Sequence, residues 1–113
     1  MHIDVLEGYR LSAQQLYYWH ALKSGHELRV QGVIRIEGAL DSRTLKAALQ
    51  GVVDRHEILR TSFHADAEMG SVLQSVAEHC SCALAELDLR SEPVSKQAAM
   101  DQACHEEWKR PFD

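Results

Sequence analysis

Between residues 41 and 63 the chain changes its apolar period from that of a helix to that of a strand, and no other feature constrains the fold as tightly. Asp41 is a suitable N-cap, because its side chain can accept from the first unsatisfied amides of a helix. Leu45, Ala48, Leu49, Val52 and Val53 then recur at i, i+3, i+4, i+7 and i+8, which gathers them on one face. That face must pack on something. From Leu59 the period becomes two, with Leu59, Thr61 and Phe63 on one side and Arg60 and Ser62 on the other, as in a half-buried strand.

The rest of the chain supplies further elements around this pair. Residues 3–6 form a short candidate strand, and Gly8 allows a turn. Ser12 can cap a helix over residues 13–23 with Leu16, Trp19, His20 and Lys23 on one side; Ser24 and Gly25 stop it, and its aromatic cluster is expected in the core. Residues 28–37 read as a strand whose apolar positions shift after Gly32, as at a bulge. A hairpin turn over residues 66–70 leads into a strand over 71–76, and residues 84–89 give another short alternating strand. Pro93 precedes a helix over residues 94–109, with Ala98, Cys104 and Trp108 as inward candidates and Pro111 at its end. The class is α+β, in the order β-α-β-α-β-β-β-α.

Three stretches carry a resemblance to a known family. Arg55-His56-Glu57-Ile58-Leu59-Arg60-Thr61-Ser62-Phe63 matches each fixed position of the Arg-His-Glu-x-Leu-Arg-Thr-x-Phe signature of nonribosomal peptide synthetase condensation domains. The run from Leu11 through Ser12, Ala13 and Gln14 to Trp19 resembles the family's opening Ser-x-Ala-Gln-x-x-x-Trp motif, with Trp19 one position late. Arg110-Pro111-Phe112-Asp113 is similar to the Arg-Pro-Phe-Asp element further along. The resemblance implies a chloramphenicol acetyltransferase-like fold of two lobes, of which these residues would be the N-terminal part of one. It also implies the activity: amide-bond formation between acyl groups tethered to the phosphopantetheine of carrier proteins, with no cofactor bound directly. In the family a His-His-x-x-x-Asp-Gly motif follows; the present sequence contains no adjacent histidines. The expectation is therefore an incomplete condensation domain, residues 1–113, inactive alone and partnered by carrier proteins and the remainder of a synthetase chain. Its unpaired edges also suggest a homodimer or domain swap.

Composition narrows the alternatives. A formal charge of −5, from 12 basic and 17 acidic residues with no basic block, speaks against nucleic acid or an anionic membrane as partner. The sequence has no run of about 20 apolar residues and its first residues lack the pattern of a signal peptide, so a cytoplasmic location is expected. Cys80, Cys82 and Cys104 form an odd count without disulfide spacing. With His79 and His105 they could suggest zinc, but one residue between Cys80 and Cys82 makes shared tetrahedral ligation awkward, and small apolar residues are the plainer reading. Phosphate loops and nucleophile elbows are absent from the sequence.

Within the signature, His56 could serve as a base, or it could simply end the helix, where its side chain can bond the last carbonyls. The resemblance favours the second, since the family's catalytic histidine belongs to the other motif; no catalytic residue and no metal ligand is assigned. Arg55 is either a solvated charge at the helix end or a support of the active site. Arg60 must find a carboxylate or carbonyls if buried. By resemblance it pairs with the aspartate of the His-His motif and holds the active-site loop; the alternative is a surface arginine on an edge strand. Ser12, Gln14, Trp19, Arg55, His56, Glu57, Leu59, Arg60, Thr61 and Phe63 complete the signature set. An epimerisation or cyclisation domain, a carrier-dependent acyltransferase of the same fold and a noncatalytic carrier-docking module remain as alternatives.

Overall fold

The computed structural model describes residues 8–68, 70–91 and 93–111. In chain order these form β1 (Tyr9–Arg10), α1 (Ala13–Lys23), α2 (Ser42–Arg55), a 3-10 turn (Glu57–Arg60), β2 (Thr61–Asp66), β3 (Ser71–Val76) and α3 (Lys96–Lys109). The candidate strand at residues 3–6 lies outside the described residues. The α+β class holds, with a three-stranded antiparallel sheet in the order β1-β3-β2.

Local chemistry explains the elements that form. Ser12 and Gln15 make a reciprocal capping box: the Gln15 amide donates to Ser12 Oγ at 3.1 Å and the Ser12 amide to Gln15 Oε1 at 2.8 Å. Asp41 caps α2 by accepting from the Arg43 amide at 3.1 Å. The β2–β3 hairpin is in register from Thr61 opposite Val76 to Asp66 opposite Ser71. At its turn Gly70 adopts φ 63°, a left-handed conformation that favours glycine, and its amide donates to the Asp66 carbonyl at 2.9 Å. Gly8 admits β1 to the sheet, since a Cβ there would meet Leu73 Cβ at 3.0 Å.

Two compact units share the chain. One runs to Leu28 and resumes over Ile36–Ala83; the other combines Arg29–Arg35 with the residues from Leu84 onward. In the second unit Arg29 donates to the Trp108 carbonyl and Gln31 Nε2 to the Cys104 carbonyl at 3.1 Å, so this stretch caps the last turns of α3.

Several expectations are corrected. Residues 28–37 form no strand: no strand lies beside them among the described residues, the Arg29 and Gln31 side chains serve α3, and Val30 and Ile34 are 100% and 85% exposed. A strand without a ladder partner leaves its amides and carbonyls to water, so the alternating pattern is not sufficient by itself. Residues 84–89 are irregular for the same reason, and the observed order is β-α-α-β-β-α. Leu59 lies in the 3-10 turn, so the strand period begins only at Thr61. The aromatic cluster of α1 is not core: Tyr17 and Tyr18 are exposed, and only Trp19 is half-buried. α3 starts at Lys96, capped by Ser95. In α3 Ala99, not Ala98, faces inward and is the only buried residue among those described, while Trp108 is exposed.

Candidate functional site

The passage from α2 to β2 is organised by one side chain. Arg60 ends the 3-10 turn, and its half-buried guanidinium spans two pieces of backbone. Nε donates to the Val53 carbonyl at 3.1 Å and Nη2 to the Asp54 carbonyl at 3.3 Å, both in the last turn of α2. Nη1 donates to the carbonyls of Ala77 at 2.5 Å and Glu78 at 3.3 Å, just beyond β3. A planar fork of five N–H donors can serve four carbonyls, which an ammonium cannot. The carbonyls at a helix C-terminus lack intrahelical partners, so a cation is favoured there. Among the described residues the partners of Arg60 are carbonyls.

The neighbouring signature residues shape this junction. His56 is the C-cap of α2, its amide donating to the Val52 carbonyl at 3.1 Å, and its own carbonyl accepts from Leu59 at 3.1 Å to start the 3-10 turn. Thr61 Oγ1 closes that turn on the Glu57 carbonyl at 2.8 Å. The side chains of Arg55, His56, Glu57 and Leu59 are exposed.

Gln50 makes a second clamp from α2. Its Oε1 accepts from the Cys82 amide at 2.8 Å, and its Nε2 donates to the Cys80 carbonyl at 2.7 Å and to Asp54 Oδ1 at 2.9 Å. One side-chain amide thus satisfies a carbonyl and an amide two residues apart, as a neighbouring strand would. Together Arg60 and Gln50 hold residues 77–82 alongside α2. The three thiols are free: Cys80 is exposed, Cys82 and Cys104 half-buried. Elsewhere, in the second unit, the Arg90 side chain clasps Asp88 and holds its carboxyl below the usual range.

Both signature motifs also face one open cleft of about 810 Å³. α1 contributes Gln15, Tyr18, Trp19 and Leu22; the 3-10 turn contributes Glu57 and Ile58; the sheet contributes Thr61, Phe63 and Gln74. Trp19 and Phe63 approach with ring centroids 6.4 Å apart, tilted at 45°, and Lys23 Nζ lies 4.7 Å from the centre of the Trp19 ring. The amides of Gln15 and Gln74 bond each other at 3.1 and 3.3 Å, and Gln74 Nε2 also reaches the Arg10 carbonyl at 3.1 Å. Gln14, the glutamine of the opening motif, is exposed on α1.

Sequence reasoning thus missed three glutamines. Gln15 had a signal, since a serine followed three residues later by glutamine is a capping box. Gln74 and Gln50 had none, because their partners depend on tertiary placement.

Comparison with known proteins gives a consistent result. The family profile described as condensation domain matches residues 5–113. Phosphinothricin tripeptide synthetase PhsC of Streptomyces viridochromogenes is 35% identical over 101 residues, covering 88% of this chain and 9% of that protein. Tyrocidine synthase 2 of Brevibacillus parabrevis is 52% identical over 54 residues, covering 46% of this chain and 2% of that protein. Tyrocidine synthase 3 of the same organism is 43% identical over 56 residues, covering 50% of this chain and 1% of its own length. The chain therefore spans under a tenth of each of these relatives. No solved structure matches it significantly.

Proposed function

We propose, since this chain belongs to the condensation-domain family of nonribosomal peptide synthetases, that it forms the N-terminal part of a domain making an amide bond between two carrier-tethered acyl groups. The amine of the acceptor attacks the carbonyl carbon of the donor thioester, the C–N bond forms, and the donor's phosphopantetheine thiol leaves. Catalysis by such a domain rests mainly on holding two tethered substrates in reach of each other, which makes the reaction effectively unimolecular. The work of this chain is structural: Arg60 and, secondarily, Arg55 support the active site, and His56 acts through its backbone as a helix end. The base or positioning histidine comes from a His-His-x-x-x-Asp-Gly motif that these 113 residues do not contain.

The observation that carries this reading is the meeting of two separate signature motifs, one on α1 and one at the α2–β2 junction, in a single cleft. The partners are carrier proteins and the remainder of a synthetase chain. The test is to graft residues 5–113 in place of the matching segment of a relative's condensation domain and follow dipeptidyl-carrier product by mass spectrometry. The graft is expected to condense and the isolated chain to remain at background. Turnover by the isolated chain, or a folded graft without product, overturns the proposal.

A further inference from the structure

Gln50 does more than hold the segment after β3, because it also sets the spacing of two thiols. Its side-chain amide bonds the Cys80 carbonyl at 2.7 Å and the Cys82 amide at 2.8 Å, and the backbone passes through residues 79–82 without a turn or bend. In extended chain a carbonyl and the amide two residues on leave by the same edge, and side chains two apart share a face. Cys80 and Cys82 therefore lie on one face. Both thiols are free, the first exposed and the second half-buried.

Extended backbone places Cα atoms two residues apart at about 6.6 Å, twice the rise per residue. The Cβ atoms keep a similar separation, whereas a disulfide needs them within about 3.5–4.5 Å, so the clamped segment cannot close one without giving up its Gln50 bonds. One metal ion between the sulfurs fits instead. Two metal–thiolate bonds of about 2.3 Å in line set the sulfurs about 4.6 Å apart, and the C–S bonds, bent away on opposite sides, bring the span between Cβ atoms to about 6.5 Å.

The ligand count selects the ion. Among the described residues no three His, Cys, Asp or Glu side chains converge for a metal, and the His79 ring lies 3.9 Å from the Glu78 carboxylate. Zinc asks for four ligands, and calcium and magnesium for an oxygen shell. The single residue between the cysteines, awkward for a tetrahedral site, suits a linear one. Soft thiolates select copper(I), the biological ion that accepts two of them in line.

We propose that Cys80 and Cys82 form a two-coordinate site for copper(I), preset by the Gln50 clamp. On binding, each thiol gives its proton to solvent, and the weak contact from Cys80 Sγ to the Ser81 carbonyl at 3.9 Å is lost. No electron is transferred, since the ion enters and remains as copper(I). A segment that is already extended loses little further freedom when the metal binds, which is what the clamp contributes. The site is independent of the reading of the chain as part of a condensation domain, which gives these thiols no role.

The experiment titrates copper(I) without oxygen into the full chain, residues 1–113, at low micromolar concentration against the chelator bathocuproine disulfonate, with circular dichroism on every variant. One ion per chain is expected, with two sulfur neighbours and no nitrogen by X-ray absorption. Cys80→Ser and Cys82→Ser should each abolish competition with the chelator, Cys104→Ser should leave it unchanged, and Gln50→Leu should weaken binding about tenfold. Glutathione disulfide supplies a readout that needs no variant: it should oxidise Cys80 and Cys82 to a disulfide readily in urea and far more slowly in the folded chain. Three or more ligands to the ion, one ion shared by two chains, binding retained by Cys80→Ser or Cys82→Ser, or binding lost with Cys104→Ser overturns the site. Native affinity in a folded Gln50→Leu chain, or a disulfide that forms as fast in the folded chain as in urea, overturns the clamp that presets it; if Gln50→Leu loses its fold, the disulfide comparison decides.

Discussion

Replacing Arg60 tests the junction directly. Arg60→Met keeps an apolar stem of similar length and removes all four donor contacts. A hydrogen bond to a charged group contributes about 1.5–3 kcal/mol when shielded and less toward solvent. The Val53 bond, at 3.1 Å and part-buried, merits most of that; the Ala77 bond at 2.5 Å is short but exposed, and the two at 3.3 Å add little. Counting the last three together as one more bond gives a loss of about 2–4 kcal/mol. In the intact domain Arg60→Met should therefore fall well below the native Tm, and Arg60→Lys should recover under half of the loss, because one ammonium reaches only one side of the junction. Hydrogen exchange supplies a local readout: the Ala77 amide donates to the Arg60 carbonyl at 2.9 Å, a backbone bond that survives the substitution but loses its support. Stability within about 0.5 kcal/mol of native, with Ala77 still protected, would refute the carbonyl clamp. In the grafted domain proposed above, a double-mutant cycle between Arg60 and the aspartate of that domain's His-His motif separates the two roles. Strong coupling in condensation rate, with little in stability, is the signature of an active-site support.

Gln50→Leu should cost about 1–2 kcal/mol and expose the Cys82 amide to exchange, whereas Gln50→Glu keeps that acceptor and loses the donor to the Cys80 carbonyl; equal exchange in both would sink the strand-like role. Gly8→Ala should loosen β1 by about 1 kcal/mol or more, because its Cβ would lie 3.0 Å from Leu73 Cβ; NMR contacts between Tyr9 and Gln74 report it, and unchanged contacts count against the close approach. The isolated chain, with Val30, Val33 and Ile34 in water, should self-associate with rising concentration in sedimentation velocity, and a monomer throughout would show that these side chains are managed within the chain.

What could be read from the sequence was local. Asp41 and Ser12 cap helices because their partners lie two or three residues away, and the turn before Ser71 needs only Asp66 and Gly70. Residues 28–37 show the limit: their alternation describes what a strand would look like, but a strand exists only where another lies beside it. The same limit governs the site. Arg60 is identifiable in the sequence as a residue that needs a carboxylate or carbonyls if buried, but that it meets the carbonyls of Val53 and Ala77 depends on where β3 ends relative to α2. Leu59 belongs to the strand by period alone, because period two says nothing of the single 3-10 turn that precedes Thr61.

The reach of the Arg60 clamp has a consequence for biosynthesis. Its acceptors lie between 6 and 18 positions away, and the hairpin beside it joins consecutive strands. Hairpins close within about 1–10 μs, whereas a ribosome adds roughly 5–20 residues per second. The junction is thus expected to assemble on the nascent chain soon after residue 82 clears the exit tunnel, before α3 has emerged to meet Arg29 and Gln31. During that interval the finished signature region and the waiting apolar segment coexist, and a chaperone acting on such a nascent chain would have residues 28–37 as its natural target.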